Sequence, residues 1–195
     1  MIVKRAYKYR IYPNREQRNF FARTFGCVRL FYNTSLDDMN KLYKEKKEYK
    51  DITPASYKEQ FPFFKDVDSL ALSNAQLNRN KALKSFFRKQ NKFPKFKAKR
   101  NKQSYSTNNQ NGTVYLSEDC KYISLPKIKN IKIKMHRKFD GVIKTVTVSK
   151  ECDDTYYVSI LVEENIEAKP KSKNSVGIDL GIKSYIVDSN AERID

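Results

Sequence analysis

A chain of 195 residues, 39% hydrophobic and carrying thirteen Tyr and twelve Phe, can bury a core and does not have the composition of a disordered segment. Its 40 Lys and Arg against 22 Asp and Glu give a net charge of +18, a balance that calls for a polyanionic partner. No apolar run approaches the roughly 20 residues that cross a bilayer and the start, MIVKRAYKYR, lacks the apolar core of a signal peptide, so no membrane partner is expected and a cytoplasmic protein is.

In chain order, Val3, Tyr7, Tyr9 and Ile11 alternate with Lys4, Lys8 and Arg10, which predicts a strand over 2–12 with one charged face. Pro13 ends it, and Asn14 followed by Gln17 resembles a capping box that opens a helix. Phe21, Phe25, Val28, Tyr32, Leu36, Met39 and Tyr43 recur at three- and four-residue steps, predicting one long amphipathic helix to about Lys47 whose Asp37, Asp38, Glu45 and Glu48 face solvent. Thr53 and Pro54 suit the start of a second, shorter helix reaching toward Gln60. Asp68 or Ser69 caps a third, with Leu72, Ala75, Ala82, Leu83 and Phe86 on its buried stripe and Asn78, Lys81, Lys84 and Arg88 on its exposed faces.

After Lys102 the period changes to two. Residues 113–116, 122–125, 131–135, 142–148 and 156–162 read as short antiparallel strands split by turn signals, notably Asn111-Gly112 and Asp140-Gly141. The first strand is expected to join them, giving an α+β fold: a small antiparallel β-barrel interrupted by an α-helical insertion. Polar residues 163–175, with Pro170, read as a linker, and two strands, 176–179 and 184–187, are expected to form a hairpin about Gly181. Three cysteines, Cys27, Cys120 and Cys152, are far apart and never in a C-x-x-C pair, so they predict no disulfide framework and no zinc site, only reduced and mostly buried thiols.

The charge is placed rather than spread. Residues 79–102 hold eleven cations (Arg79, Lys81, Lys84, Arg88, Lys89, Lys92, Lys95, Lys97, Lys99, Arg100, Lys102) and no acid, and residues 121–150 hold nine against Asp140 alone, which leaves the remainder near neutral. The bland alternative is a solvated helix face followed by a floppy loop. Solvated faces ordinarily mix signs, so the run is read as facing phosphates, which position a nucleic acid without reading its sequence. Lys4, Lys8 and Arg10 on the first strand and Lys132, Lys134, His136 and Arg137 in the second basic run join the candidate surface. Phe93 and Phe96 could stack on bases, although aromatics beside Pro94 more often pack a loop onto its own domain. His136, the only histidine, has no partner in sight for acid–base chemistry. Asp179 ends an apolar strand before Gly181, where it could hold a divalent cation or simply bond its own turn. The same string, VGIDLG, also suits the phosphate-binding hairpin of actin-like ATPases, which carry it near the N-terminus of a long α/β chain.

The succession AYKYRIYPNREQ (6–17), FGCVRLFYN (25–33), ALKSFF (82–87), FPKFKAKR (93–100), LPKIKNIKIKMHR (125–137), IKTVTVSK (143–150), YYVSILVE (156–163) and VGIDLGIKSY (176–185) resembles TnpB, the OrfB-type transposon-encoded proteins that look like ancestors of type V CRISPR effectors. The resemblance implies a wedge β-barrel from residues 1–12 and 103–165, a helical recognition lobe at 13–102, a linker at 163–175, and at 176–195 the first β-hairpin of a truncated RuvC (RNase H-like) domain. It implies a guide RNA derived from the transposon end, target double-stranded DNA, and Mg2+ at a metal site of which Asp179 is the first catalytic acid. It also implies that Ser69, Ser73 and Gln76 face the DNA duplex. Two-metal hydrolysis needs several carboxylates converging on cations about 3.5–4 Å apart. The family's later Glu and Asp and its four-cysteine zinc element have no match here, and Asp188, Glu192 and Asp195 cannot replace acids from other strands. The 195 residues are therefore expected not to cut alone, whether as a truncated or decayed transposase or as a non-catalytic RNA- or DNA-binding regulator.

Overall fold

The computed structural model describes residues 1–46, 51–167, 175–182, 185–190 and 192–194. Residues 2–165 form one compact unit, and Met1 with residues 166–195 form another. In the larger unit, strands β1 (Ile2–Tyr12), β2 (Gln103–Asn108), β3 (Tyr115–Leu116), β4 (Tyr122–Leu125), β5 (Ile128–Lys134), β6 (Val142–Lys150) and β7 (Tyr156–Asn165) build a sheet in the order β2-β6-β7-β1-β5-β4-β3. Every neighbouring pair is antiparallel.

The sheet must curl. β2 and β3 are its two edges, yet only residues 109–114 connect them. Laid flat, seven strands put the edges about 29 Å apart, whereas seven Cα steps reach at most about 24 Å. The connection is also far from extended: Asn109 Oδ1 accepts the Val114 N–H at 2.9 Å, and Asn111 (φ 53°) and Gly112 (φ 71°) make a tight turn. The edges are drawn together around a single core, but no ladder joins β2 to β3 among the described residues, so the sheet is curled without the complete hydrogen-bonded closure of the expected barrel.

Helix α1 (Arg15–Lys46) opens on the expected capping box, in which Asn14 N–H donates to Gln17 Oε1 and Gln17 N–H to Asn14 Oδ1, both at 2.9 Å. Gln17 Nε2 also donates to the carbonyls of Lys129 and Asn130, fastening the helix start to β5. At 32 residues it runs about 48 Å. Its first half sends Phe21, Phe25, Val28 and Phe31 into the core beside Tyr9, Ile11, Val146 and Val158. Its second half closes a small cluster of Tyr32, Leu36 and Met39 on Leu83 of helix α2 (Ser69–Phe87). The first half of α1, with Ala71, Leu72 and Ala75 of α2, thus packs into the same core as the sheet. Among the described residues, no helix is long and apolar enough to cross a membrane.

Between the helices the expected short helix is replaced by two single 3-10 turns, Pro54–Tyr57 and Pro62–Lys65. Pro62 drives Phe61 out of helical conformation (φ −125°, ψ 75°), and the stretch between the two prolines is too short to propagate an α-helix. Tyr57 is buried and its hydroxyl donates to Asp38, so Asp38 is a packing residue of α1 and not one of its solvent-facing charges. β2 was not foreseen: QSYSTN points only Tyr105 and Thr107 inward. β7 continues through Asn165, so Glu163 to Asn165 are strand, and residues 168–174 of the expected linker lie outside the described residues. Of the cysteines, only Cys27 is buried; Cys152 is exposed and Cys120 lies between.

Candidate nucleic-acid interface

Asp68 Oδ1 caps α2 by accepting the Leu70 N–H at 2.9 Å, and the helix ends where Lys89 takes a left-handed conformation (φ 57°) that lets its N–H reach the Phe86 carbonyl. Beyond it, residues 88–102 run without regular structure, and all eight of their cations, Arg88, Lys89, Lys92, Lys95, Lys97, Lys99, Arg100 and Lys102, are exposed. Only Lys102 makes an ion pair among the described residues, with Glu151 at 2.6 Å.

The segment is held by neutral groups, not left floppy. Asn33 of α1 brackets Lys97, donating through Nδ2 to its carbonyl at 2.9 Å and accepting its N–H on Oδ1 at 2.8 Å. Gln103 Nε2 donates to the carbonyls of Lys99 and Asn101, and Arg29 in turn holds Gln103 Oε1 at 2.7 Å. Although Lys97 as a residue is exposed, its ammonium lies 4.3 Å over the ring of buried Tyr32, and desolvation lowers its pKa from the ordinary lysine value. A phosphate beside it favours the charged form and offsets that shift. Phe93 packs edge-on against Phe86 at 5.2 Å, as a loop anchor would, while Phe96 remains 59% exposed. Asn33, Gln103 and Arg29 were not singled out in the sequence; the only signal was a polar Asn33 one residue past the buried Tyr32. Because the bracket carries no charge, Asn33→Ala is expected to weaken nucleic-acid binding by roughly three- to tenfold through two lost hydrogen bonds while leaving its salt dependence intact, as binding isotherms at several salt concentrations will read.

The other expected contacts divide. Arg79 is a correction: it is 0% exposed, and its Nη2 bonds Asp51 Oδ1 at 2.5 Å and the Ile52 carbonyl at 3.0 Å, with the guanidinium 5.7 Å from the Phe31 ring centre. It is a core residue and does not reach a phosphate. Lys81 and Lys84 are exposed on α2. Ser69 and Ser73 are exposed, with Ser73 Oγ donating to the Ser69 carbonyl, whereas Gln76 is half-buried and donates to Asp51 Oδ2 at 2.9 Å. Lys4 and Lys8 are exposed but face acids, Glu163 at 3.3 Å and Glu151 at 3.6 Å. Arg10, Lys132 and Lys134 sit together on the outer face of the sheet, where Arg10 opposes Lys134. His136 is exposed against Tyr9, ring centres 5.3 Å apart, and Arg137 is exposed while its carbonyl accepts the Tyr9 hydroxyl.

In the smaller unit, β8 (Ile178–Asp179), β9 (Ile186–Asp188) and β10 (Arg193–Ile194) form a three-stranded antiparallel sheet in the order β10-β9-β8. Ser184, at the start of the expected second strand, and Asp195 lie outside the described residues. Asp179 is exposed and opposes Val187, while Asp188 opposes Ile178. Opposed residues share a face and successive ones alternate, so the two carboxylates point to opposite sides of the sheet. Asp188 is already engaged with the N–H groups of Asn190 and Glu192. No three His, Cys, Asp or Glu side chains gather among the described residues. These residues do not fit a two-metal site, since one free carboxylate cannot hold a cation pair.

Residues 1–48 match the OrfB/IS605-type helix-turn-helix domain, although what they form over 1–46 is a strand and one continuous helix. The chain is 30% identical over 199 residues to a putative RNA-guided DNA endonuclease of Streptomyces pristinaespiralis, covering 98% of this chain and 50% of that protein. It is 29% identical over 191 residues to the putative RNA-guided DNA endonuclease InsQ of Escherichia coli K12, covering 91% of this chain and 45% of that one. The chain therefore spans about half the length of the curated relatives it matches. A solved Cas12f1-sgRNA-target DNA complex aligns over 99% of this chain and 57% of that one at a TM-score of 0.40 and 15% identity, too distant to support any inference. Taken together, these matches fit the N-terminal region of a TnpB-type protein.

Proposed function

We propose that these 195 residues are the nucleic-acid-binding region of a TnpB-type RNA-guided DNA endonuclease, holding a guide RNA from the transposon end and lying against the target duplex. The observation that carries this reading is the acid-free loop 88–102, eight exposed cations on a backbone bracketed by Asn33 and Gln103. Such a loop presents charge at fixed positions, which suits a folded RNA better than an unstructured polyanion. The relatives' description as putative RNA-guided DNA endonucleases supports the same assignment. On this reading the larger unit combines wedge and recognition elements, Ser69 and Ser73 on the first turns of α2 lie toward the duplex, and the smaller unit begins a RuvC-like domain. Asp179 would be one metal-binding acid of such a domain. Because the described carboxylates do not converge, we assign binding, and not strand cleavage, to these residues.

The test is a competition among three ligands of equal length: RNA transcribed from the end of the element that encodes the chain, a shuffled RNA, and duplex DNA. Preference for the element's RNA, with affinity falling steeply as salt rises, is the expected result. Equal affinity for all three would reduce the surface to general polyanion binding. Absence of binding even at low salt would overturn the assignment.

A further inference from the structure

The outer face of the curled sheet carries a second arrangement that the loop does not explain. Register places Tyr122 of β4 opposite Lys132 of β5, and Lys132 opposite Tyr12 of β1, in one row across three strands. The next row sets Lys134 of β5 opposite Arg10 of β1, and Arg10 opposite Tyr157 of β7. Opposed residues share a face, so the six side chains form one patch in which aromatic and cationic groups are interleaved and no acid intervenes.

Five of the six are exposed, and Tyr157, half-buried under Lys8, closes one end of the patch. Tyr12 is 42% and Tyr122 41% exposed, and neither hydroxyl has a hydrogen bond among the described residues. Arg10, Lys132 and Lys134 are exposed, with no ion pair among those residues, and the Arg10 guanidinium lies 5.2 Å from the Tyr12 ring centre. Acids enter only at the margin, where Asp153 feels the charge of Arg10, and where Glu151 meets Lys8 at 3.6 Å and Lys8 in turn sits 4.3 Å over Tyr157. This is unlike the partner-facing side of a soluble sheet, which is aliphatic, and unlike an ordinary solvated face, where lysines are paired with carboxylates across strands.

We infer that this face binds unpaired nucleotides, with Tyr12 and Tyr122 stacking on bases and Lys132 between them meeting the intervening phosphate. Two strand spacings separate the tyrosines by about 10 Å, so a cation midway between two ring platforms repeats the base–phosphate–base order of a single strand. Stacking needs a free base face, which a duplex denies except at its ends, so the patch selects single strands where the basic loop does not. The inference rests on the nucleic-acid reading above and deepens it by assigning an unpaired segment to the sheet.

The experiment compares the full chain with Tyr12→Leu/Tyr122→Leu and Tyr12→Phe/Tyr122→Phe, using a 10-nucleotide single-stranded RNA, its DNA equivalent, and the matching RNA duplex. A 2-aminopurine base in the single strands reports stacking through quenching. The leucine pair is expected to lose at least about 25-fold in single-strand affinity, roughly fivefold or more per tyrosine, and to lose the quenching, with less than about twofold change for the duplex. The phenylalanine pair should keep both, because the ring and not the hydroxyl does the work. Loss confined to RNA assigns the strand to RNA, and loss for both single strands assigns the patch to either. Equal losses for single strand and duplex, or none, or a phenylalanine pair as weak as the leucine pair, would overturn the inference. If the parent binds duplex but no single strand, this inference alone fails; if it binds no nucleic acid, the functional reading fails with it.

Discussion

With Lys95, Lys97, Lys99 and Arg100 all replaced by glutamine, the affinity of the chain for nucleic acid becomes much less sensitive to salt. Each phosphate neutralised contributes about 0.9 to the slope of log affinity against log salt on duplex DNA and about 0.7 on single strands. Leaving four phosphates without their cations therefore flattens the slope by about 3 to 3.6. Between 50 and 200 mM salt, the parent's affinity for duplex is expected to fall about a hundredfold more than the variant's. None of the four is ion-paired among the described residues, so the fold is expected to lose little beyond the contact of the Lys97 ammonium with the Tyr32 ring. Thermal unfolding measured in parallel separates the two effects. An unchanged slope would mean that the loop does not face the polyanion.

Arg79→Ala produces the opposite pattern, a large loss of stability and no loss of slope. Its guanidinium is fully buried on Asp51, the Ile52 carbonyl and the Asn80 side-chain oxygen, 5.7 Å from the Phe31 ring centre. Removing one member of a buried pair costs about 3–5 kcal/mol when the other charge is stranded. Here Asp51 keeps 44% of its side-chain surface in water, so the cost is dominated by the cavity and the lost hydrogen bonds, and about 2–4 kcal/mol is expected. For a chain of this size that lowers the melting temperature by roughly 4–16 °C. Salt dependence of binding, measured well below the transition, stays at the parent's value. A stable Arg79→Ala variant with a shallower slope would return Arg79 to the binding surface.

Arg79 also shows what a sequence can and cannot reveal. Leu72, Ala75, Arg79 and Leu83 are spaced by three, four and four, so the helical period already placed Arg79 on the buried stripe. Its charge, shared with ten neighbours in a run without acids, argued for the surface. The partner that decides the matter, Asp51, lies 28 residues away across a turn that no local pattern fixes. Local signals were readable wherever a few adjacent residues satisfy one another. The Asn14–Gln17 box and the two-residue alternation of β1 are both of this kind.

Signals that depend on distant pairing were not readable. β2 offers Tyr105 and Thr107 as its inward residues with no aliphatic among them, and it becomes a strand because β6 supplies a ladder from Thr145 to Lys150. The Asn33 bracket joins residues 64 apart. The turn of sheet that unites Arg10, Tyr12, Lys132 and Tyr122 needs a register that only the folded chain defines. For Asp179, local sequence left cation ligation and a turn bond both open, because the acids that would complete a metal site lie on other strands and not beside it in sequence.

The most direct test of the central claim is lysine protection. The free chain and its complex with the element's RNA are treated briefly with an amine-acetylating reagent, and modification is read lysine by lysine by mass spectrometry. Lys89, Lys92, Lys95, Lys97 and Lys99 are expected to be shielded in the complex, while Lys44 and Lys58, which belong to neither basic run, react as in the free chain. Protection absent from residues 88–102, with affinity retained, would contradict the account.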